Sequence, residues 1–224
     1  MVRLARQGLT MLRFERESDS VERTGEIARD VALVVRAGDV VRLEGPMGAG
    51  KTTFVRALAG AMGADVNLVS SPTFVLVNEY PTKGGRPDLV HMDCYRMGGA
   101  DELDDLGWDR ILSSGAVVVI EWAERIAPAL PEHAARIAIE PTGESERVFT
   151  IEAPGSWDQR PGVLGLEARR ATVCPVTGKP VAADNPSWPF FDERARLSDL
   201  HGWLTGEHTL SRPIEEDDLD EGIG

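Results

Sequence analysis

One octapeptide, Gly45-Pro46-Met47-Gly48-Ala49-Gly50-Lys51-Thr52, limits what this chain can fold into more than any other segment. The β-rich run Val40-Val41-Arg42-Leu43 leads into it, and Thr52 to Met62, of helical composition and stopped by Gly63, follows. Strand, glycine loop and helix in that order match the G-x-x-x-x-G-K-[ST] pattern in the setting it requires. The glycines let the backbone curl until successive N–H groups face inward at phosphate oxygens, and the helix beginning near Lys51 adds the positive end of its dipole. Gly45, Gly48, Ala49 and Gly50 then supply the backbone cradle, Lys51 reaches the β- and γ-phosphates of a nucleotide, and the Thr52 hydroxyl is a magnesium ligand. The plainer alternative is a glycine-rich turn that happens to precede Lys-Thr.

A phosphate loop needs acidic partners, because magnesium must be held from the far side and an attacking water oriented. Glu121 ends the apolar run Val117-Val118-Val119-Ile120, and Asp93 ends Leu89-Val90-His91-Met92. The expected catalytic set is therefore Lys51, Asp93 and Glu121, with Thr52 and Glu121 on the metal; the competing reading of each acid is a solvated carboxylate at a strand end. Ser71-Pro72-Thr73 offers hydroxyls able to sense a γ-phosphate, or an ordinary turn.

The rest of the pattern predicts an α/β fold, a mixed sheet with flanking helices. Ser18 to Arg36 has helical spacing of Val21, Ile27, Val31, Val34 and Val35, reads as a surface helix and stops at Gly38. Thr73 to Tyr80 and Leu89 to Cys94 read as a hairpin across the turn-rich segment 81–87, and Asp101 to Leu112 as a helix. Val117 to Ile120 reads as a central strand covered on both faces, and Arg136 to Glu140 with Arg147 to Glu152 as a second hairpin that closes the sheet.

Composition removes several function classes. With 24 Lys and Arg against 37 Asp and Glu, the formal net charge is -13, the wrong sign for a protein that coats nucleic acid. Two cysteines, Cys94 and Cys174, exclude a disulfide framework and a four-thiolate metal site. No run reaches the ~18 apolar residues of a membrane span and the N-terminus lacks a signal-peptide core, so the expected location is the cytoplasm, with no membrane partner. Met11 could equally be the start, which makes the first ten residues an extension.

Several segments in order, Leu43 to Phe54, Ser-Pro-Thr-Phe at 71–74, His-Met-Asp-Cys-Tyr-Arg-Met at 91–97, Glu-Leu-Asp-Asp-Leu-Gly at 102–107 and Val-Ile-Glu-Trp-Ala at 119–123, together resemble the TsaE (YjeE) family. The resemblance implies an ATPase that uses ATP, ADP and magnesium and serves synthesis of N6-threonylcarbamoyladenosine at position 37 of tRNAs. It would act with TsaD and TsaB and meet tRNA only indirectly. By the same resemblance Lys51 and Thr52 bind phosphate and magnesium, Asp93 and Glu121 are the functional acids, and Trp122 lies near the nucleotide or a partner. Thr53, Ser71 and Thr73 are weaker carry-overs. Pro46 stands where many members have Asp and removes one N–H.

Farther on, segments 173–181, 189–195 and 199–204 resemble the small YacG family of zinc proteins that bind and inhibit DNA gyrase. The four ligand positions read Cys174, Thr177, Phe191 and Ala195, one thiolate in all, so no structural zinc is expected and gyrase binding is doubtful. Phe191 and Ala195 would instead pack with Trp188, Leu197 and Trp203, and His201 and His208 read as helix-face histidines rather than replacement ligands. This divides the chain into a TsaE-like P-loop ATPase domain at 12–155, a linker at 156–168, a YacG-like segment resembling a degenerate zinc ribbon at 169–212 and an acidic disordered tail at 213–224. The rival readings are a shikimate-kinase-like small-molecule kinase, which lacks an Asp-x-Asp after the second strand and an Arg-rich lid, and a nonenzymatic nucleotide-gated scaffold or gyrase-binding protein.

Overall fold

In chain order the elements are β1 (Val2–Arg6), β2 (Leu9–Ser18), α1 (Val21–Val34), β3 (Val40–Glu44), α2 (Lys51–Met62), β4 (Val77–Tyr80), β5 (Leu89–Asp93), α3 (Trp108–Ser113), β6 (Val117–Glu121), β7 (Ala135–Pro141) and β8 (Arg147–Pro154). The computed structural model describes residues 2–6, 9–167, 172–182, 185 and 187–205. It divides into two units, Met1–Ala168 and Arg169–Gly224.

The first unit is built on one sheet of order β1-β2-β8-β7-β3-β6-β5-β4. Its centre is parallel, β3 pairing with both β7 and β6 and β6 with β5. Antiparallel strands flank it, β4 at one side and β8, β2 and β1 at the other. Central parallel strands are covered on both faces, which is why β5 and β6 are buried along their whole length. On one face Val41, Leu43, Val117 and Val119 meet Ile27 and Val31 of α1 and Phe54 and Leu58 of α2. On the other Val90, Met92, Val118 and Ile120 meet Trp108, Ile111 and Ile126. Strand register aligns the carboxyl ends of the core: Glu121 lies opposite both Leu43 and Asp93, so β3, β5 and β6 end level.

The expected helix over Ser18 to Arg36 forms as Val21–Val34, with the Ser20 side chain accepting from the Arg23 N–H. Its inward side, including Ile27, Ala28 and Val31, is core. The hairpin between Tyr80 and Leu89 is present, but β4 starts only at Val77. Pro72 opens a turn in its place, its carbonyl accepting from Val75 N (3.0 Å) and Leu76 N (2.6 Å), and Leu76 turns left-handed at φ 67°. The expected helix over Asp101 to Leu112 is broken: Ala100–Leu103 is a 3-10 turn, and Gly107 at φ 70° separates it from α3. Where the sheet was expected to end, the β7–β8 hairpin lies inside it instead.

Beyond β8 comes β2, which apolar patterning did not announce. Leu12, Phe14 and Arg16 alternate inward on it, and the arginine disguises the period of two. Arg16 is accommodated because its guanidinium pairs with Asp30 at 2.9 Å and donates to the Gly165 carbonyl at 2.7 Å. The segment 156–168, expected as a linker, is also corrected. A 3-10 turn over Gly155–Gln159 packs on β2 and β8, another over Val163–Leu166 packs on α1 and β2, and Trp157, Val163 and Leu166 are buried in the main core.

The second unit contains β9 (Thr172–Val173), β10 (Pro180–Val181) and α4 (Glu193–Thr205). Its apolar cluster is Cys174, Val181 and Ala195, with Trp188 and Phe190 against them. Ala195 and Trp188 thus fall where expected, whereas Phe191 and Leu197 are exposed, and Lys179 lies over the Phe191 ring. His201 is on the surface of α4. The Trp203 side chain, His208 and the acidic tail lie outside the described residues. Burial pushes the Cys94 thiol up to about 12, with Asp93 and Glu124 adding to it. At Cys174 burial acts in the same direction, but hydrogen bonds from the Thr177 side chain and the backbone of Phe191, Thr177 and Val176 outweigh it and bring the thiol down to about 7. Among the described residues no helix is long and apolar enough to cross a membrane.

Candidate functional site at the carboxyl ends of the central strands

The chain leaves β3 at Glu44 and must reverse into α2 within six residues. Gly45, Gly48 and Gly50 make this possible with φ of 150°, 79° and 102°, values that side chains disfavour. At Gly45 a Cβ would also lie 2.6 Å from the Ile139 carbonyl oxygen of the neighbouring strand. Gly45→Ala is therefore expected to displace the loop and lower stability by about 1–3 kcal/mol. A thermal melt measures the effect.

Gly50 occupies the N-cap of α2 in the left-handed conformation and brings no side chain to cap it, and the first turn carries no acidic residue. The orphan N–H groups and positive dipole end of a 12-residue helix thus remain directed at the cleft. Lys51 folds back across the loop, its Nζ donating to the carbonyls of Gly45 (2.9 Å) and Pro46 (3.2 Å). Pro46 therefore contributes the acceptor that it retains, and its missing N–H leaves this contact intact. From behind, Arg147 Nε on β8 donates to the Ala49 carbonyl at 3.0 Å.

Because β3, β5 and β6 end level, both expected acids arrive beside this loop. Glu121 and Asp93 are buried, and the Lys51 ammonium sits 3.7 Å from Glu121 Oε2 and 4.9 Å from the centre of the Trp122 ring. Trp122 adopts φ 57° immediately after β6, and its ring packs on Tyr95 at 5.1 Å between centroids. Asp93 Oδ2 accepts from the Thr73 hydroxyl at 2.5 Å and Oδ1 from the Tyr95 N–H at 2.9 Å, while Ser71 and Thr73 share a hydrogen bond of 2.8 Å. The turn 72–76 is thereby tied to an acid of the site, with Phe74 and Val75 exposed on its outside.

One cleft of about 380 Å³ is lined by Gly48, Ala49, Gly50, Lys51, Thr52, Thr53, Ser71, Thr73, Asp93, Glu121 and Trp122 among its walls. Every residue expected in the site lines it except Gly45, which shapes the loop from beneath. A second cleft of about 230 Å³ shares Ala49, Gly50 and Thr53 and continues to Ser20, Thr24, Glu144, Ser145 and Arg147. Sequence reasoning did not single out Tyr95, which lines the main cleft, nor Arg147 and His91. Arg147 carries no local motif. His91, 0% exposed, has its Nε2 3.0 Å from Glu121 Oε1, and its signals were its place two residues before Asp93 on one strand face and its position at the head of the segment 91–97.

Comparison with known proteins identifies the family. Residues 18–149 match the family of threonylcarbamoyl adenosine biosynthesis protein TsaE. The chain is 42% identical to the tRNA threonylcarbamoyladenosine biosynthesis protein TsaE of Bacillus subtilis over 135 residues, 60% of this chain and 82% of the relative. It is 45% identical to the Streptomyces coelicolor protein of that name over 135 residues, 58% of this chain and 90% of the relative. The crystal structure of Bacillus subtilis YdiB superposes with a TM-score of 0.53 at 34% identity, covering 65% of this chain and 88% of that one. A phosphate loop on a parallel β3–β6–β5 core, carried by a sequence that aligns from the end of β2 into β8, makes this chain a member of the TsaE family.

Proposed function

We propose that the chain binds ATP with magnesium and hydrolyses it, slowly when alone, as a subunit that serves N6-threonylcarbamoyladenosine formation on tRNA together with TsaD and TsaB. The observation that carries this is the uncapped N-terminus of α2 facing a cleft that also holds Lys51, Thr52, Asp93 and Glu121. One nucleotide across the two adjoining clefts sets its polyphosphate against Lys51 and its nucleoside between the start of α1 and the β7–β8 hairpin.

The donor set fits a hard cation: a hydroxyl on Thr52 and a carboxylate on Glu121, both lining the phosphate cleft. Thr52 and Glu121 would hold magnesium, which would supply neutralisation of phosphate charge. Lys51 and the loop N–H groups stabilise the charge that spreads over the transferring group. A water oxygen bonds to the γ-phosphorus as the bridging P–O bond breaks, ADP keeps the electron pair, and the carboxylate that orients the water guides its proton to phosphate. Asp93, anchored through Thr73, couples this chemistry to the turn 72–76, whose exposed Phe74 and Val75 are well placed for a partner to grip. The overall charge of -13 suits contact with tRNA through partners rather than directly.

For the C-terminal unit the reading is a YacG-like remnant held by apolar packing. Cys174, Thr177, Phe191 and Ala195 do not fit structural zinc, since one sulfur and one hydroxyl leave two positions without a donor. Purified partners provide the test: ATP turnover and threonylcarbamoyladenosine formation, with and without TsaD and TsaB. Turnover rising on addition of the two supports the subunit role, and modification proceeding equally well without this chain overturns it. A gyrase supercoiling assay tests the C-terminal unit, with no inhibition expected.

A further inference from the structure

We propose that His91 is a positioning residue for the phosphate cleft, its Nε2–H holding Oε1 of Glu121 so that Oε2 faces the cleft and the bound nucleotide without closing onto Lys51. The catalytic consequence rests on the proposed hydrolysis of a nucleotide; the hydrogen bond itself does not.

Leu89, His91 and Asp93 share one face of β5, and Val117, Val119 and Glu121 the matching face of β6, with His91 paired to Val119 one row below the two acids. That face is covered by the α2 layer, so the imidazole lies under the floor of the cleft, away from solvent and from the ligand space. A carboxylate only accepts, so the 3.0 Å contact from Nε2 to an ionised Glu121 calls for the tautomer with its proton on Nε2. Nδ1 has no hydrogen-bond partner among the described residues. The ring's one polar contact among them is therefore with Glu121, an arrangement that apolar packing alone would not require.

Glu121 has one oxygen on His91 and the other 3.7 Å from Lys51, near but outside direct hydrogen-bond range. Without the anchor, the carboxylate is free to swing onto the ammonium and close a direct buried pair. That would withdraw an acid from the water and metal and engage the lysine that phosphate requires. His91 prevents this by occupying Oε1 from below.

The test compares His91→Leu, which keeps much of the volume and removes the donor, with His91→Gln, whose amide nitrogen reaches about as far as Nε2. In the full chain, His91→Leu is expected to lower kcat for MgATP on the order of 10- to 100-fold, the range for outer-shell partners, with KM moving far less. His91→Gln restores most of kcat. Equal kcat for His91→Leu and wild type overturns the proposal, as does equal loss in the Leu and Gln variants. Should the variants fold poorly, nitrogen NMR of the wild-type imidazole decides. The His91 ring signal, assigned in the wild-type protein by through-bond correlation to its own backbone, should carry its proton on Nε2, and a bare Nε2 overturns the proposal. Wild-type protein with no affinity for MgADP overturns the nucleotide reading instead, while the imidazole spectrum still tests the bond.

Discussion

Lys51→Ala is expected to lower ATP turnover on the order of 10²- to 10³-fold and to abolish measurable MgATP binding at micromolar nucleotide, while the fold survives. The magnitude reflects removal of a charged, preorganised donor from a buried site where phosphate charge develops. The lysine is 7% exposed and already spans the loop through Gly45 and Pro46, which holds it at the cleft in advance of the ligand proposed above. Its loss also removes the cation above the Trp122 ring, so tryptophan fluorescence provides a second readout of the same site. Calorimetry and phosphate release measure the main effect. Full support of tRNA modification by Lys51→Ala would remove the loop from the mechanism.

The second large effect is on stability. A chain ended at Gly155 should be strongly destabilised, and one ended at Ala168 should retain the stability of the first unit. The earlier end strips Trp157, Val163 and Leu166 from the core and exposes the surfaces of α1, β2 and β8 that they cover. It also breaks one ion pair and one hydrogen bond to a buried charge. Asp39 loses Arg160, which bonds both of its oxygens and also donates to the Val34 carbonyl at the end of α1. Arg16, 1% exposed, loses the Gly165 carbonyl. Breaking a buried pair from one side leaves an uncompensated charge, which makes such losses severe. Trp157→Ala isolates the packing component. At about 3–5 kcal/mol for a buried tryptophan, and about 2–4 °C per kcal/mol in a domain of this size, its Tm should fall by roughly 6–20 °C. Melts of the three chains rank them, and a Gly155-ended chain as stable as the Ala168-ended one would contradict the packing described.

How far the molecule was legible beforehand depended on whether the deciding interaction was local. The strand–loop–helix unit at 40–62 was readable because glycine placement, an apolar run and a helical stretch each act within a few residues. Glu121 and Asp93 were readable for a similar reason, since each ends an apolar run whose length marks a covered strand. The strand β2 was not, because buried Arg16 takes an inward position made tolerable by long-range partners that include Asp30 and Gly165. Frequent turn formers around 156–168 resembled a linker, and only the long-range contacts of Trp157 and Leu166 show it to be core. The helix expected across 101–112 failed at Gly107, where the backbone turns left-handed between two short turns of helix.

By itself the order of residues determined that a glycine nest would open onto a helix N-terminus with a lysine and a hydroxyl at its start. Backbone sterics and helix dipoles are local and need no partner. Which acids would face that nest, at what height, and with what beneath them was decided by the tertiary structure. Strand register brings Leu43, Asp93 and Glu121 level across three strands far apart in sequence, and sets His91 one row below to hold a carboxylate that no local pattern links to it.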